Sequence, residues 1–132
     1  MKMEIQEQIN YWLSSAESDL AVAERLFASR DYHWCLYIGH LVLEKALKAY
    51  FCFINNETPP RLHDLVKLAK LSNLELNDEQ TEFYLRVTDF NIESRYPDRK
   101  FGFYKMATLD YTDNNFNKIK TELQWIKSLI TY

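Results

Sequence analysis

An all-α antiparallel bundle of about five helices is the fold class this sequence predicts. Three observations predict it. The 132 residues include two glycines and three prolines, too few for the frequent turns of a β sandwich or barrel. Apolar side chains recur at steps of three and four through long segments, which is the period of one helical face. The breaks between those segments are short, which favours antiparallel neighbours. At 47% hydrophobic and 15% aromatic, residues 1–132 suffice for one domain with a single core.

The elements follow in order. Residues 3–29 place Ile5, Ile9, Trp12, Leu13, Ala16, Leu20, Ala23 and Phe27 within one broad face, with Glu4, Glu7, Glu17 and Glu24 off it. "SRDY" at 29–32 is a tight break, with Asp31 placed to cap the next helix. Residues 32–54 are apolar almost all the way round, from Leu36 and Ile38 through Val42 and Leu47 to Phe53 and Ile54. Such a helix lies at the centre of a bundle or meets a second subunit. At ~100° per residue, His40, Glu44 and Lys48 line up as one narrow polar stripe, with Tyr37 beside them and Lys45 pointing elsewhere. Asn55, Asn56 and the Pro59-Pro60 pair end this helix and open the loop "NNETPPRLHDL". A short helix uses Leu65, Leu68 and Leu71. "NDEQ" at 77–80 has a capping-box pattern and opens a helix to about Ser94, with Phe83, Val87 and Phe90 inward. "ESRYPDRKFGFYK", 93–105, reads as a charged, aromatic break. The last helix, from Tyr111, sets Phe116, Ile119, Leu123, Ile126 and Ile130 on one face.

Composition excludes several functions. With a net charge of −3, the surface as a whole is not built for a polyanion, so any nucleotide or nucleic-acid contact is local. Cys35 and Cys52 are too far apart along one helix to bond to each other and read as reduced core residues. "MKMEIQEQIN" carries charges where a signal peptide would be apolar, and the run at 34–54 is interrupted by His40, Glu44, Lys45 and Lys48. A soluble cytoplasmic protein without membrane attachment is expected. No glycine-rich phosphate loop and no metal-ligand spacing is present, so neither metal nor cofactor is expected.

Three groups of residues could carry chemistry. The stripe has a plain reading as an i,i+4 ion pair, of ~0.2–0.5 kcal/mol when exposed. On a buried helix its polar groups need partners, which opens a ligand role. In the loop, Arg61, His63 and Asp64 read first as a helix start, with Asp64 suiting the helix dipole. The break offers Arg95, Tyr96, Asp98, Arg99, Lys100 and Phe101. Arg95 either staples carbonyl ends or faces an anion, with rings nearby to stack a base. If the fold brings the break against the stripe and the His63 loop, the three form one pocket.

"EKALKA" (44–49), "LHDL" (62–65) and "RYPD" (95–98), taken in this order between helices, resemble the HEPN domain family, small helical proteins associated with minimal nucleotidyltransferases. The resemblance spans nearly the whole chain, including "AESDLAVAERL". It implies a HEPN-like bundle, a nucleotide- or RNA-related role, a homodimer, and a separately encoded minimal nucleotidyltransferase partner, often as a toxin–antitoxin pair. It carries over Glu44, Lys45 and Lys48, His63 and Asp64, and Arg95, Tyr96, Pro97 and Asp98. Ribonuclease members carry an Arg followed, after four to six intervening residues, by a His. In this chain no Arg has a His at that spacing, and no His follows Arg95 at all. Arg95, Arg99 and Lys100 supply cations for a phosphate, but no base stands where cleavage needs it. Binding without cleavage is the expectation. The alternatives are a ribonuclease with a rearranged base, His63, and a purely structural homodimer.

Overall fold

The computed structural model describes residues 4–131, with the side chains of Pro97 and Asp98 outside the description. Six helices run in order: α1 (Ile5–Ala28), α2 (Tyr32–Asn55), α3 (Leu65–Leu71), α4 (Asp78–Arg95), α5 (Pro97–Met106) and α6 (Leu109–Leu129). No strand occurs among the described residues. The all-helical bundle is as the sequence indicates, with one helix more than expected.

α2 is the axis of the molecule. It packs against every other helix, most extensively α1 and α6. This explains its near-continuous apolar circumference: Leu36, Val42, Leu43, Ala46, Leu47, Ala49 and Cys52 are all fully buried within one chain. At Gly39, α2 packs tightly against Ile119 of α6. A Cβ there would lie 2.7 Å from Ile119 Cδ1. Lys45, on another side of α2, ties the helix to α1 through Ser15 Oγ and Asp19 Oδ2, each at 2.7 Å.

The helix boundaries have local causes. Asn77 and Gln80 form the expected capping box, and Thr108 caps α6. Asp31 does occupy the position before α2, but makes no capping bond; its carboxylate accepts instead from Ser29 Oγ at 2.6 Å. Asn56 ends α2 in the left-handed conformation, φ 54°. On α3, Leu65 and Leu68 are buried as expected, but Leu71 faces solvent and Ala69 takes the inner place.

The stretch 93–105 differs most from its expectation. It is a helix end, a hinge residue and a new helix. α4 stops at Arg95 because Tyr96 precedes Pro97, and the proline ring disfavours helical geometry at that residue. Tyr96 is extended, φ −102° and ψ 124°. Pro97 then stands in the first turn of α5, where its missing N–H costs nothing. α5 rests on the core through Phe103, whose ring stacks on Phe90 of α4 at 5.5 Å. No helix among the described residues is long and apolar enough to cross a membrane.

Candidate anion site at the centre of the bundle

The polar stripe of α2 is buried. His40, Glu44 and Lys48 are 0%, 5% and 6% exposed. Groups this deep must be satisfied, and the loop before α3 supplies most of what they need. Glu44 Oε1 accepts from His63 Nδ1 at 2.7 Å, and Oε2 accepts from Lys48 Nζ at 3.1 Å. The Lys48 ammonium also lies 5.2 Å from the centre of the Trp12 ring on α1. His40 Nε2 donates to the His63 carbonyl at 2.8 Å, and its Nδ1 accepts from Asn91 Nδ2 of α4 at 3.3 Å.

These partners fix both imidazole tautomers. A carbonyl only accepts, so His40 carries its proton on Nε2 and offers Nδ1 to Asn91. Burial lowers the His40 pKa, and the charges of His63 and Arg95 add to that effect against the His63 carbonyl and Glu44. His40 is therefore neutral, with both nitrogens engaged, and has no lone pair left for catalysis. His63 is the opposite case. Glu44 holds its proton on Nδ1, so in the neutral ring the lone pair sits on Nε2. The His63 side chain is 60% exposed, and Nε2 is open to a ligand.

The chain is pinned directly after His63, so His63 is held and not merely nearby. Leu65 is fully buried, and its N–H donates to Thr88 Oγ1 of α4 at 3.2 Å. Asp64 caps α3 by accepting from the Lys67 N–H at 3.1 Å. In "LHDL" the leucines reach the core, the histidine reaches α2 and the aspartate starts a helix.

Arg95 completes the cluster. It lies one helical turn beyond Asn91 on α4, and its positive charge reaches His40. It is exposed, and among the described residues its guanidinium makes no hydrogen bond or ion pair; its neighbour is the Tyr96 ring, 5.9 Å away. The carbonyl-staple role is thus not what this side chain does.

His40, Glu44, Lys48 and His63 therefore stand together, Asp64 beside His63 in the chain caps α3, and Arg95 acts on the cluster through its charge on His40. Lys100 does not join them. Its ammonium sits 4.9 Å from the Trp34 ring, at the other end of α2. The Arg99 charge acts instead on Glu93, whose pKa is raised by burial and by Asp89 against the lowering effect of Arg99. Asp98 lies outside the described side chains. Tyr37 is half-buried and meets Trp34 edge-on at 5.9 Å. Sequence reasoning missed Asn91 and Trp12. Asn91 is 4% exposed, and its Oδ1 finds no donor among the described residues. Its spacing of four from Arg95 was the available signal. No group of three or more His, Cys, Asp and Glu that could hold a metal occurs among the described residues.

Residues 9–129 match the HEPN domain family. No curated protein matches the chain. Two solved structures share the fold. TT1696 from Thermus thermophilus superposes with a TM-score of 0.75 at 18% identity, covering 92% of this chain and 97% of that one. ST0689, described as an archaeal HEPN homologue, gives a TM-score of 0.67 at 23% identity, covering 99% and 100%.

Proposed function

The chain belongs to the HEPN domain family, and from that premise we propose that it is a nucleotide- or RNA-associated binding module. On this reading it acts with a separately encoded minimal nucleotidyltransferase, as in a toxin–antitoxin pair, pairs with itself as a homodimer, and does not cleave RNA. One observation carries the ligand assignment. Arg95 makes no hydrogen bond or ion pair among the described residues, its positive charge acts on His40, which donates to the His63 carbonyl, and a phosphate is what such free donors suit. The stripe itself is less available: Glu44 and Lys48 neutralise each other and hold His63 in place. The dimer rests chiefly on the family, because much of the apolar surface of α2 is buried within one chain, although Trp34 and Ile54 on this helix remain exposed.

Calorimetric titration with ATP and with a short RNA, alongside incubation with a fluorescent RNA, tests this reading. Binding of one ligand without cleavage is expected. A minimal nucleotidyltransferase encoded beside this gene and co-eluting with this chain is expected as well; a neighbourhood without one removes the partner.

A second reading is favoured by the Glu44–His63 bond. A buried carboxylate orienting an imidazole with its far nitrogen outward is the geometry of a general base, which could take a ribose 2′-hydroxyl proton. Cleavage by the purified protein, lost in His63→Ala while the fold persists, would establish that reading in place of the first.

A further inference from the structure

A cavity of about 420 Å³ lies between the first half of α4 and the middle of α6. That volume falls within the ~300–1,000 Å³ typical of small-molecule sites. α4 and α6 both pack on α2, yet their backbones come close at almost no point. Side chains bridge the gap instead. Glu122 Oε1 accepts from Gln80 Nε2 at 3.1 Å and from the Tyr84 hydroxyl at 2.8 Å, and Asn115 Oδ1 accepts from Arg86 Nη1 at 2.9 Å. These bonds show the two helices running antiparallel. Phe83, almost fully buried, lines the cavity between them.

Two cations meet over the Phe83 ring. Arg86 Cζ lies 5.7 Å and Lys118 Nζ 5.9 Å from its centre. Each has a glutamate four residues away on its own helix, Glu82 for Arg86 and Glu122 for Lys118, which is the spacing of a helix ion pair. Neither pair forms: among the described residues no carboxylate lies within salt-bridge distance of either cation. An anion seated between the two would relieve their mutual repulsion, and a carboxylate suits a guanidinium edge. A doubly charged phosphate suits the cavity less, because Glu79 and Glu82 line it as well. One helical turn along α6 from Lys118, the charge reverses. Glu122 Oε1 is taken twice, but Oε2 has no hydrogen bond among the described residues. Burial and Glu122 raise the Tyr84 pKa, so the phenol keeps its proton and holds the carboxylate in place.

The spacing of these charges selects a ligand length. Four residues of helix separate Lys118 from Glu122, ~6 Å along the axis. A single amino acid spans at most ~3.5 Å, and two span ~7 Å. We propose that the α4–α6 cavity binds a small zwitterion of dipeptide length, with its carboxylate between Arg86 and Lys118, its ammonium on Glu122 Oε2 and its uncharged middle over the Phe83 ring. The site shares no residue with the Arg95 cluster and does not depend on the nucleotide reading.

The test is an NMR titration of the labelled protein with dialanine, alanine, N-acetyl-dialanine, dialanine amide and inorganic phosphate. Dialanine is expected to shift the side-chain amide signals of Gln80 and Asn117, which line the cavity. Alanine and each blocked peptide are expected to bind about tenfold more weakly, since each loses one charged contact. Lys118→Gln is expected to weaken dialanine by a similar factor at an unchanged melting temperature, because its exposed ammonium has no ion pair to lose. The blocked peptides test the same contacts without altering the protein. No shift at about 10 mM dialanine overturns the site. So does alanine or a blocked peptide binding as tightly as dialanine, or a Lys118→Gln variant that binds like wild type. Phosphate binding more tightly than dialanine would make the cavity a plain anion site and overturn the zwitterion.

Discussion

A histidine with no exposed surface, lying within reach of the Arg95 charge, is stable only while neutral, and His40 is held in that state by a carbonyl on one nitrogen and an amide on the other. The consequence is a pH dependence of definite sign. In the unfolded chain His40 titrates near 6.5, and in the folded chain its pKa is lower, chiefly through burial. The stability this provides is fully present above about 6.5 and is lost as pH falls toward the folded value, because the unfolded state then binds the extra proton. Urea midpoints for wild type should therefore drop more between pH 7.5 and pH 5.5 than those for His40→Gln. Equal slopes would show that His40 is not the proton-linked group. The stripe that contains His40 was legible in the sequence, because polar residues at helical spacing on an apolar helix stand out. Its partners were not. Nothing local to Asn91 or Trp12 says that each will meet a residue far away in the chain, and the tautomers of His40 and His63 follow only from those partners. The cysteines, by contrast, were legible: both are buried and free, and burial pushes Cys35 up to about 12 and Cys52 up to about 11.

At the scale of elements, α1, α2, α4 and α6 declared themselves through period and caps, while α5 did not. Its residues alternate charge and ring with little apolar face, a glycine sits in its middle, and a proline opens it. Those features also describe a loop. Tertiary support from Phe103 decides the matter in favour of a helix. The two glycines show how differently one residue type can be used. Gly39 lets α2 approach α6, and Gly102 meets nothing, since a Cβ there has no atom within 4 Å. Gly39→Leu should cost about 1–3 kcal/mol through overpacking. Gly102→Ala should stabilise by about 0.5–1 kcal/mol, because neither glycine has a positive φ and alanine suits a helix interior. Denaturant unfolding of the two variants checks both signs. A neutral Gly39→Leu would mean that Ile119 swings aside freely and that the close approach is not a constraint.

For the whole molecule, the central claim is that three segments distant in sequence meet at one anion site: the middle of α2, the loop before α3 and the end of α4. The sequence could name the segments but not their meeting, which depends on α3 and α4 packing on the same side of α2. It also grouped Lys100 with Arg95 from proximity in the chain, whereas the turn into α5 carries Lys100 away to Trp34. Charged hydrogen bonds from an arginine contribute ~1.5–3 kcal/mol each, and ~1.4 kcal/mol is a factor of ten in affinity. The most direct measurement is calorimetric titration of wild type and Arg95→Ala with ATP and a short RNA, with thermal melts of both proteins. The account predicts binding weakened about tenfold or more in the variant, with an unchanged melting temperature, because the exposed guanidinium has no hydrogen bond to lose. A variant that melts earlier while wild type binds neither ligand would contradict it, and would make the charged turn at Arg95 a structural feature alone.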